Sequence, residues 1–418
     1  MTATRRLSEI DFSEYVGPGG GLWWGQGGAE PEPLVNAFLD QVDRIGEVRA
    51  FCGLTWNERL AGNLPDAVSV VSYGGLGRLR GLSRHGLLDV VPCHYSSIPR
   101  MFARQQLPND LGLLQVSPPD VDGTVSLGIG VDYVADAIPH TGTLIAEINH
   151  RMPQTLGTER IPLSAFAAVI ESDRPLHELP GRTPDDVDQR IAAHVASLVE
   201  DGDTIQIGVG TLPDAVLQAL SGHSDLGVHS GMITDGVLTL IEKGVVTGAR
   251  KEIDPGLVVT GAALHTTAGY DRLGAMPIEF RPASYTHAPV VLSRLESLVS
   301  INSAIEVDLL GQVGAELARG VHIGAVGGQV DFSRAAALTG ARSIIALRSE
   351  VRGESTIVPS LHSGVVTTSR VDVDAVVTEH GAAVLAGCTV AERARRLIAV
   401  AAPEHRERLE RSLGEETS

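Results

Sequence analysis

The residues best suited to chemistry lie in a glycine-bearing turn in the second half of the chain. Residues Ile205–Leu220 read IQIGVGTLPDAVLQAL, in which an apolar run leads into Gly208-Val209-Gly210 and then into a helical pattern with Pro213 in its first turn. Glycine lets the backbone approach a ligand closely, and the start of a helix offers unpaired N–H groups and a partial positive charge. The turn therefore suits a phosphate or an acyl oxyanion, and a plain tight turn is the alternative.

A second stretch of chemical interest, Leu226–Gly236, reads LGVHSGMITDG. Its central residue, Gly231, has no side chain, but His229 and Ser230 precede it. Adjacent side chains of a strand point to opposite faces, so we do not expect this histidine and serine to form a nucleophile–base pair.

Short apolar runs alternate with helical segments along the chain, which predicts α/β layers with a largely parallel sheet. Val187–Gly202 spaces its apolar residues by three and four, which predicts a helix that ends at Gly202. Four runs have the length of buried strands: Thr143–Ile148, Leu226–His229, Gly256–Gly261 and Ser343–Leu347.

The polar, proline-bearing stretch Ser172–Asp186 predicts a boundary between two domains, at residues 1–180 and 181–418. A weak internal repeat supports this division. Leu22–Phe38 and Ile205–Leu220 share one plan, in which a strand is followed by G-x-G and by a helix with proline near its start. Similarity at such a spacing indicates two related halves, and chance is the alternative.

The bulk composition is that of a globular protein, with 43% hydrophobic and 20% charged residues among 418. A formal net charge of -18 argues against binding of nucleic acid, whose phosphates require a basic surface. No apolar run approaches the roughly 20 residues needed to span a bilayer. The first residues carry no secretory pattern, so we expect a cytoplasmic location and no membrane partner. The three cysteines are isolated, and no metal site is predicted.

Longer motifs are more specific than these patterns. SPPDVDG at Ser117–Gly123 is followed by INSAIEVDLLGQV at Ile301–Val313 and by GGQVDF at 327–332. With these motifs, the chain resembles the acetyl-CoA hydrolase/transferase family nearly end to end. That family includes 4-hydroxybutyrate, butyrate and succinate CoA-transferases.

The resemblance implies an α/β fold of two Rossmann-like CoA-transferase halves, each with an open, largely parallel sheet, and an active site in the interdomain cleft. It implies coenzyme A as substrate or as acyl-CoA, no metal, and a homodimer. We expect the acyl group near Gly231, Ser117–Gly123 and Asn302. The residues expected to bind the cofactor are Gly208, Val209, Gly210, Thr211, Leu212, Asn302, Gly324, Gly327, Gly328 and Gln329.

The family's nucleophile is a glutamate, which attacks the acyl-CoA and becomes a glutamyl-CoA thioester. It stands in a stretch of the form I-H-[ST]-E-M-x-x-D-G, and this chain has VHSGMITDG there without a gap. The glutamate position is therefore Gly231. Loss of a covalent nucleophile normally costs several orders of magnitude in rate, so we do not expect the ordinary route through an enzyme-bound thioester.

Three residues are candidates to act in place of the glutamate. Ser230 is the neighbouring candidate nucleophile. His94 and His150 lie in segments that line the cleft in relatives, and each is a candidate general base because an imidazole titrates near neutrality. Loop histidines that only form hydrogen bonds are the alternative. Glycine at position 231 also predicts space for a water molecule or for the second substrate.

Arg348 marks a further departure from the family. It stands in ALRSEVRGEST, where relatives typically have an ALPS-T stretch. A guanidinium group suits the phosphates of CoA, so Arg348 is a candidate cofactor-binding residue, and a surface charge is the alternative.

These observations predict an enzyme that acts on acyl-CoA thioesters without a glutamyl-CoA intermediate. The reaction is either hydrolysis or direct transfer to a bound acid, alcohol or amine, because positioning and oxyanion donors accelerate attack on an already activated thioester. Two alternatives stay open. One is a catalytically silent protein that binds CoA or acyl-CoA, and the other is a cleft that has been adapted to a substrate without CoA.

Overall fold

The computed structural model describes residues 4–62, 64–157, 160–179 and 182–415. They form two compact units. The first contains the described residues up to Leu179 together with Val259–Thr286 and Val321–Gly327, and the second contains the remaining described residues. The predicted boundary between residues 180 and 181 lies outside the described residues, and it stays a prediction.

The first unit is built on a sheet of seven parallel strands. In spatial order these strands are Leu88–Val90, Val68–Ser72, Val48–Phe51, Gly21–Trp24, Leu111–Val116, Thr143–Asn149 and Ala168–Ser172. The unit also contains the short strands Thr124–Val125, Ile161–Pro162, Ile278–Phe280 and Val321–His322, and all but the first residue of the strand Val258–Ala263. Its α-helices are Glu32–Ile45, Leu79–Arg84, Ile98–Ala103, Asp132–Ala137, Thr267–Arg272 and Ala283–Thr286.

The local sequence explains the first long helix. Glu32–Ile45 has proline near its start, buries apolar residues spaced by three and four, and ends at Gly46, whose φ is 98°. On the strand Gly21–Trp24, Trp24 is buried in the apolar cluster that contains Leu34 of this helix, and Trp23 is buried against Phe102. The Nε1 atom of Trp23 donates a hydrogen bond to Oγ1 of Thr141 at 2.9 Å. Both rings are fully buried and fill the interior.

The second unit is built on a sheet whose strands are parallel up to its final antiparallel hairpin. In spatial order they are Gly227–Ile233, Thr204–Ile207, Leu298–Ser303, Arg342–Ala346, Ala375–Thr378 and Gly381–Val384. Its α-helices are Asp186–Ala196, Thr211–Ala219, Asp235–Glu242, Pro289–Leu292, Gln329–Thr339, Val390–Val400 and Pro403–Glu415. Short strands are Glu306–Asp308, Val313–Gly314, Leu317–Ala318, Glu350–Val351, Glu354–Ser355 and Ile357–Val358.

The predicted fold class is confirmed, since both sheets are open and largely parallel. The four predicted strands form with ends shifted by a few residues. The helix expected to end at Gly202 begins at Asp186, where Asp185 caps it, but it stops at Ala196. The Ser197 hydroxyl donates to the carbonyl oxygen of His194 at 2.8 Å, and such local bonding by serine competes with helix continuation.

No helix among the described residues is both long and apolar enough to cross a membrane.

Candidate functional site

The glycine-bearing turn of the second unit lies at the carboxyl end of a central strand. Thr204–Ile207 pairs with Gly227–Ile233 on one side and with Leu298–Ser303 on the other. Helix Thr211–Ala219 starts directly after Gly210, whose φ is 130°, a conformation that favours glycine. Among the described residues, a Cβ added to Gly208 would meet nothing closer than Pro213 at 4.0 Å. The surface beside this turn is therefore open, as a ligand-binding loop requires.

Asn302 is held by a polar network at the same end of the sheet. Its Nδ2 donates to Oε1 of Gln206 at 3.0 Å and to Oγ of Ser300 at 2.9 Å. Gln206 in turn donates from Nε2 to Oδ1 of Asn302 at 3.2 Å. This network fixes the amide of Asn302, which is only partly buried.

Ser230, the candidate nucleophile, is buried in strand Gly227–Ile233. Its hydroxyl donates a hydrogen bond to the main-chain oxygen of Ile207 at 3.0 Å. The hydroxyl therefore links two adjacent strands of the sheet, which is a structural role.

Gly231 and Gly328 both lie against one imidazole ring, that of His287. A Cβ added to Gly231 would lie 2.8 Å from both Cε1 and Nε2 of His287. A Cβ added to Gly328 would lie 2.5 Å from Nε2 and 2.6 Å from Cδ2 of the same ring. Real Cβ contacts are essentially never this short. The structure thus brings together two predicted site residues and a histidine that the sequence did not single out.

We expected space beside Gly231 for a water molecule or a substrate. On the side where a Cβ would point, this space is not available. The imidazole of His287 occupies it, and His287 is only 3% exposed. Burial lowers the pKa of His287 to about 3, with a smaller contribution from nearby His229. The ring is therefore neutral at physiological pH, and its low basicity makes it a poor general base.

The predicted loop around Gly324 and Gly327 packs within the first unit. The backbone N–H of Tyr95 donates to the carbonyl oxygen of Gly327 at 2.9 Å, and that of Gly75 donates to Gly324 at 3.0 Å. His94 forms an isolated parallel bridge with Gly327, and its side chain is exposed. The structure therefore brings this candidate base next to one predicted cofactor-binding residue.

The loop continues into the second unit at Gly328, which caps helix Gln329–Thr339. The Nε2 atom of Gln329 donates to Oγ1 of Thr368 at 3.0 Å. Helix Thr211–Ala219 also starts at a predicted cofactor-binding segment. Its first two residues, Thr211 and Leu212, are both partly buried.

His150 lies at the end of strand Thr143–Asn149 in the first unit, where it is exposed. Its Nε2 is 3.4 Å from Oε2 of Glu171, and its backbone N–H donates to Ser172. The SPPDVDG motif lies in the same unit as an ordered turn, in which Asp120 accepts hydrogen bonds from the backbone and hydroxyl of Thr124.

Arg348 makes two ion pairs within the second unit. One of its terminal nitrogens, Nη2, lies 2.8 Å from Oδ2 of Asp185 and 2.8 Å from Oδ1 of Asp188. These carboxylates cap the start of helix Asp186–Ala196. The guanidinium charge is already compensated by the protein, which favours the surface-charge alternative over contact with CoA phosphates.

Sequence reasoning also missed a buried carboxyl group in the first unit. Glu30 is fully buried and accepts hydrogen bonds from the Thr55 hydroxyl at 2.7 and 2.9 Å. Burial raises the pKa of Glu30 to about 7. The only signal in the sequence is its place beside the glycines of WWGQGGAEP.

One group in the described part of the chain has the donor atoms for a metal ion. Ligand atoms of Glu350, Glu404 and His405 lie within 4.8 Å of one another. Nε2 of His405 is 3.0 Å from Oε2 of Glu350, so contact within the group accounts for the arrangement. We assign no metal to it.

Comparison with known proteins identifies the family. Residues 17–178 match the acetyl-CoA hydrolase/transferase N-terminal domain, and residues 270–413 match the corresponding C-terminal domain. The 4-hydroxybutyrate coenzyme A transferase of Clostridium kluyveri is 42% identical, over 98% of this chain and 96% of that relative. The succinyl-CoA:acetate/propanoyl-CoA:succinate CoA transferase of Fasciola hepatica is 38% identical, over 80% of this chain and 72% of that relative.

Solved structures agree with this result. RipA from Yersinia pestis superposes with a TM-score of 0.91 at 33% identity, covering 97% of this chain and 96% of RipA. The 4-hydroxybutyrate CoA-transferase of Porphyromonas gingivalis superposes with a TM-score of 0.81, also at 33% identity, covering 99% of this chain and 97% of that protein. The chain therefore belongs to the acetyl-CoA hydrolase/transferase family of enzymes.

Proposed function

We propose that this enzyme acts on an acyl-CoA thioester without forming a glutamyl-CoA intermediate. Either water or a bound acceptor attacks the thioester carbon directly. A new bond forms between that carbon and the attacking atom, the C–S bond breaks, and CoA leaves as its thiolate. With a carboxylate acceptor, the product of this step is a mixed anhydride. The thiolate then attacks the acceptor's carbonyl carbon, a C–S bond forms, and the original acyl group leaves as its carboxylate, which yields the new CoA ester.

The observation that carries this proposal is the packing of His287 against Gly231. A side chain at position 231 would overlap with a buried imidazole. Close-packed interiors accommodate added atoms only by displacing their neighbours. Position 231 is therefore built for glycine, and a carboxylate there is incompatible with the present packing.

Two further features support thioester chemistry at this end of the sheet. The turn at Gly208–Gly210 has an open surface and leads into the start of a helix, where backbone N–H groups favour an anion. The polar network around Asn302 fixes this side chain at the carboxyl end of the parallel strands, where open α/β sheets bind their ligands. Both N–H groups of the amide are used within the network, so the backbone of the turn supplies the donors.

The relatives' names suggest the acids to test. They include 4-hydroxybutyrate, succinate, acetate and propanoate, so small carboxylic acids are the first candidate acceptors. CoA esters of the same acids are the first candidate donors.

The test begins with calorimetric titration of the purified protein with CoA and with acetyl-CoA. The mixtures are then assayed for free thiol and for new CoA esters, with and without each candidate acid. We expect binding together with either thiol release or ester formation. Binding without turnover, with every acid tested, would instead identify a silent CoA-binding protein, and no binding would identify a cleft adapted to another substrate.

Intact-protein mass spectrometry after incubation with acetyl-CoA tests the mechanism separately. We expect no covalent adduct on the wild-type protein, before or after treatment with borohydride. A CoA-bearing or borohydride-reduced protein would contradict the proposed route. Initial-rate kinetics provide a second check for transfer, since direct attack predicts a sequential pattern and an enzyme-bound intermediate predicts a ping-pong pattern.

A further inference from the structure

The His287 ring leaves no space for a side chain at either of two positions that lie against it, Gly231 and Gly328. Gly231 lies on strand Gly227–Ile233, and Gly328 lies directly before helix Gln329–Thr339. The φ of Gly328 is -87°, and that of Gly231 also lies outside the left-handed range. The backbone conformation would therefore accept other residues at both positions, and it is the ring that excludes them.

The ring has little freedom to move aside. It packs edge-on against Phe332, with ring centroids 5.0 Å apart and an interplanar angle of 65°. Phe332 belongs to a buried apolar cluster that includes Leu292, Leu295 and Leu298. Displacing the imidazole in this direction would require the cluster to repack, which costs free energy in a close-packed interior.

We propose that residues 231 and 287 form a specificity-determining pair, in which the imidazole of His287 occupies the volume that a catalytic carboxylate at position 231 would need. This inference rests on the proposed function, because it explains how the chain is committed to direct attack on the thioester. It follows that a carboxylate at position 231 is productive only after the imidazole has been removed.

The double variant Gly231→Glu/His287→Ala is expected to form a glutamyl-CoA thioester in two steps. An oxygen of the introduced carboxylate attacks the thioester carbon, a C–O bond forms, and the C–S bond breaks to release CoA thiolate. The thiolate then attacks the carboxyl carbon of the introduced side chain. A C–S bond forms there, and the acyl group leaves as a carboxylate, so that CoA remains on the protein.

The steric part of the inference is tested by thermal unfolding of the wild type, both single variants and the double variant. Gly222→Glu is the matched control, because a Cβ there meets no described atom within 4 Å. We expect Gly231→Glu to lower Tm by about 5 °C more than Gly222→Glu does, as overpacking of an interior predicts. We expect the double variant to be no less stable than the less stable of the single variants. Additive losses of Tm would overturn the inference.

Gly231→Ala and Gly328→Ala extend the test with a single methyl group, in case the glutamate variant fails to fold. Each should lower Tm in the wild-type background and lower it less in the His287→Ala background. Equal effects in both backgrounds would overturn the inference, because the ring would then not be the group that excludes side chains.

The functional part is tested by incubating the same proteins with acetyl-CoA and measuring intact mass. We expect a CoA-bearing mass on the double variant at a level at least tenfold above that on Gly231→Glu. Equal labelling of the two variants, or no labelling of a double variant that binds acetyl-CoA, would overturn the inference while the proposed function stands. If calorimetry finds no binding of acetyl-CoA to the wild type, the proposed function fails, and the inference falls with it.

Discussion

The Nε2 atom of His287 lies 2.8 Å from the point at which a Cβ of residue 231 would sit. The same ring blocks a Cβ at Gly328, so one buried side chain explains why two separate segments carry glycine. We propose above that Gly231 and His287, which stands 56 positions further along the chain, act as one pair.

The buried state of His287 predicts an effect of pH on stability. Its pKa is lowered from 6.5 to about 3 in the folded protein, so between these values the unfolded chain binds the additional proton. Stability from this source is fully present above pH 6.5 and is lost as pH falls toward 3. The loss approaches about 1.4 kcal/mol for each pH unit below 6.5.

Denaturant unfolding of the wild type and of His287→Asn measures this effect. We choose pH values of about 7.5, 6 and 5, which lie on both sides of the ordinary histidine pKa of about 6.5. The variant should lose less stability than the wild type as pH falls, whatever its stability at the highest pH. His85→Asn, at an exposed histidine, is the control and should leave the slope of the wild type nearly unchanged. Parallel curves for wild type and His287→Asn would show that the ring is not held neutral.

The fold could be predicted from the sequence because the apolar residues of a strand or helix, and their spacing along the chain, are local signals. Runs such as Thr143–Ile148 must pair within a sheet wherever they lie, and the helix after Asp185 is started by its own capping residues. The packing around position 231 could not be predicted from such local signals. His287 belongs to a distant, unremarkable segment, THAPVVL, and only the tertiary fold places it against Gly231. Arg348 likewise has its acidic partners, Asp185 and Asp188, 163 and 160 residues away.

Arg348 is expected to support the fold rather than to bind CoA. Replacing it in Arg348→Ala removes both ion pairs to Asp185 and Asp188. The guanidinium is more than a third exposed, so solvent screening limits the loss of stability to about 1 kcal/mol. Calorimetry should find an affinity for CoA within about twofold of the wild type, a change of less than about 0.5 kcal/mol. Arg352→Ala, in the same loop, is the matched control, and a tenfold weaker affinity in Arg348→Ala alone would restore the phosphate-binding role.

Ser230 is expected to contribute to stability and not to act as a nucleophile. Ser230→Ala removes the hydrogen bond to the main-chain oxygen of Ile207, which should cost about 1 kcal/mol of unfolding free energy. Ser300→Ala, at a buried hydroxyl two strands away that donates to Gln206 and also accepts from Asn302, should cost more, because two hydrogen bonds are lost. Turnover of acetyl-CoA by Ser230→Ala should stay within a few fold of the wild type. A loss of about a thousandfold or more, as removal of a covalent nucleophile produces, would identify the hydroxyl as the attacking group.

The two glycines of the turn at Gly208–Gly210 are expected to respond differently to the same substitution. Gly210→Ala forces alanine to a φ of 130° and should lower stability by about 1 kcal/mol or more. Gly208→Ala meets only Pro213 at 4.0 Å, so its stability should match that of the open-site control Gly222→Ala, within about 0.5 kcal/mol. If this turn cradles CoA, the added methyl group should still weaken CoA binding by about tenfold, because it stands where the ligand must approach. Unchanged stability together with unchanged CoA affinity in Gly208→Ala would show that the ligand binds elsewhere.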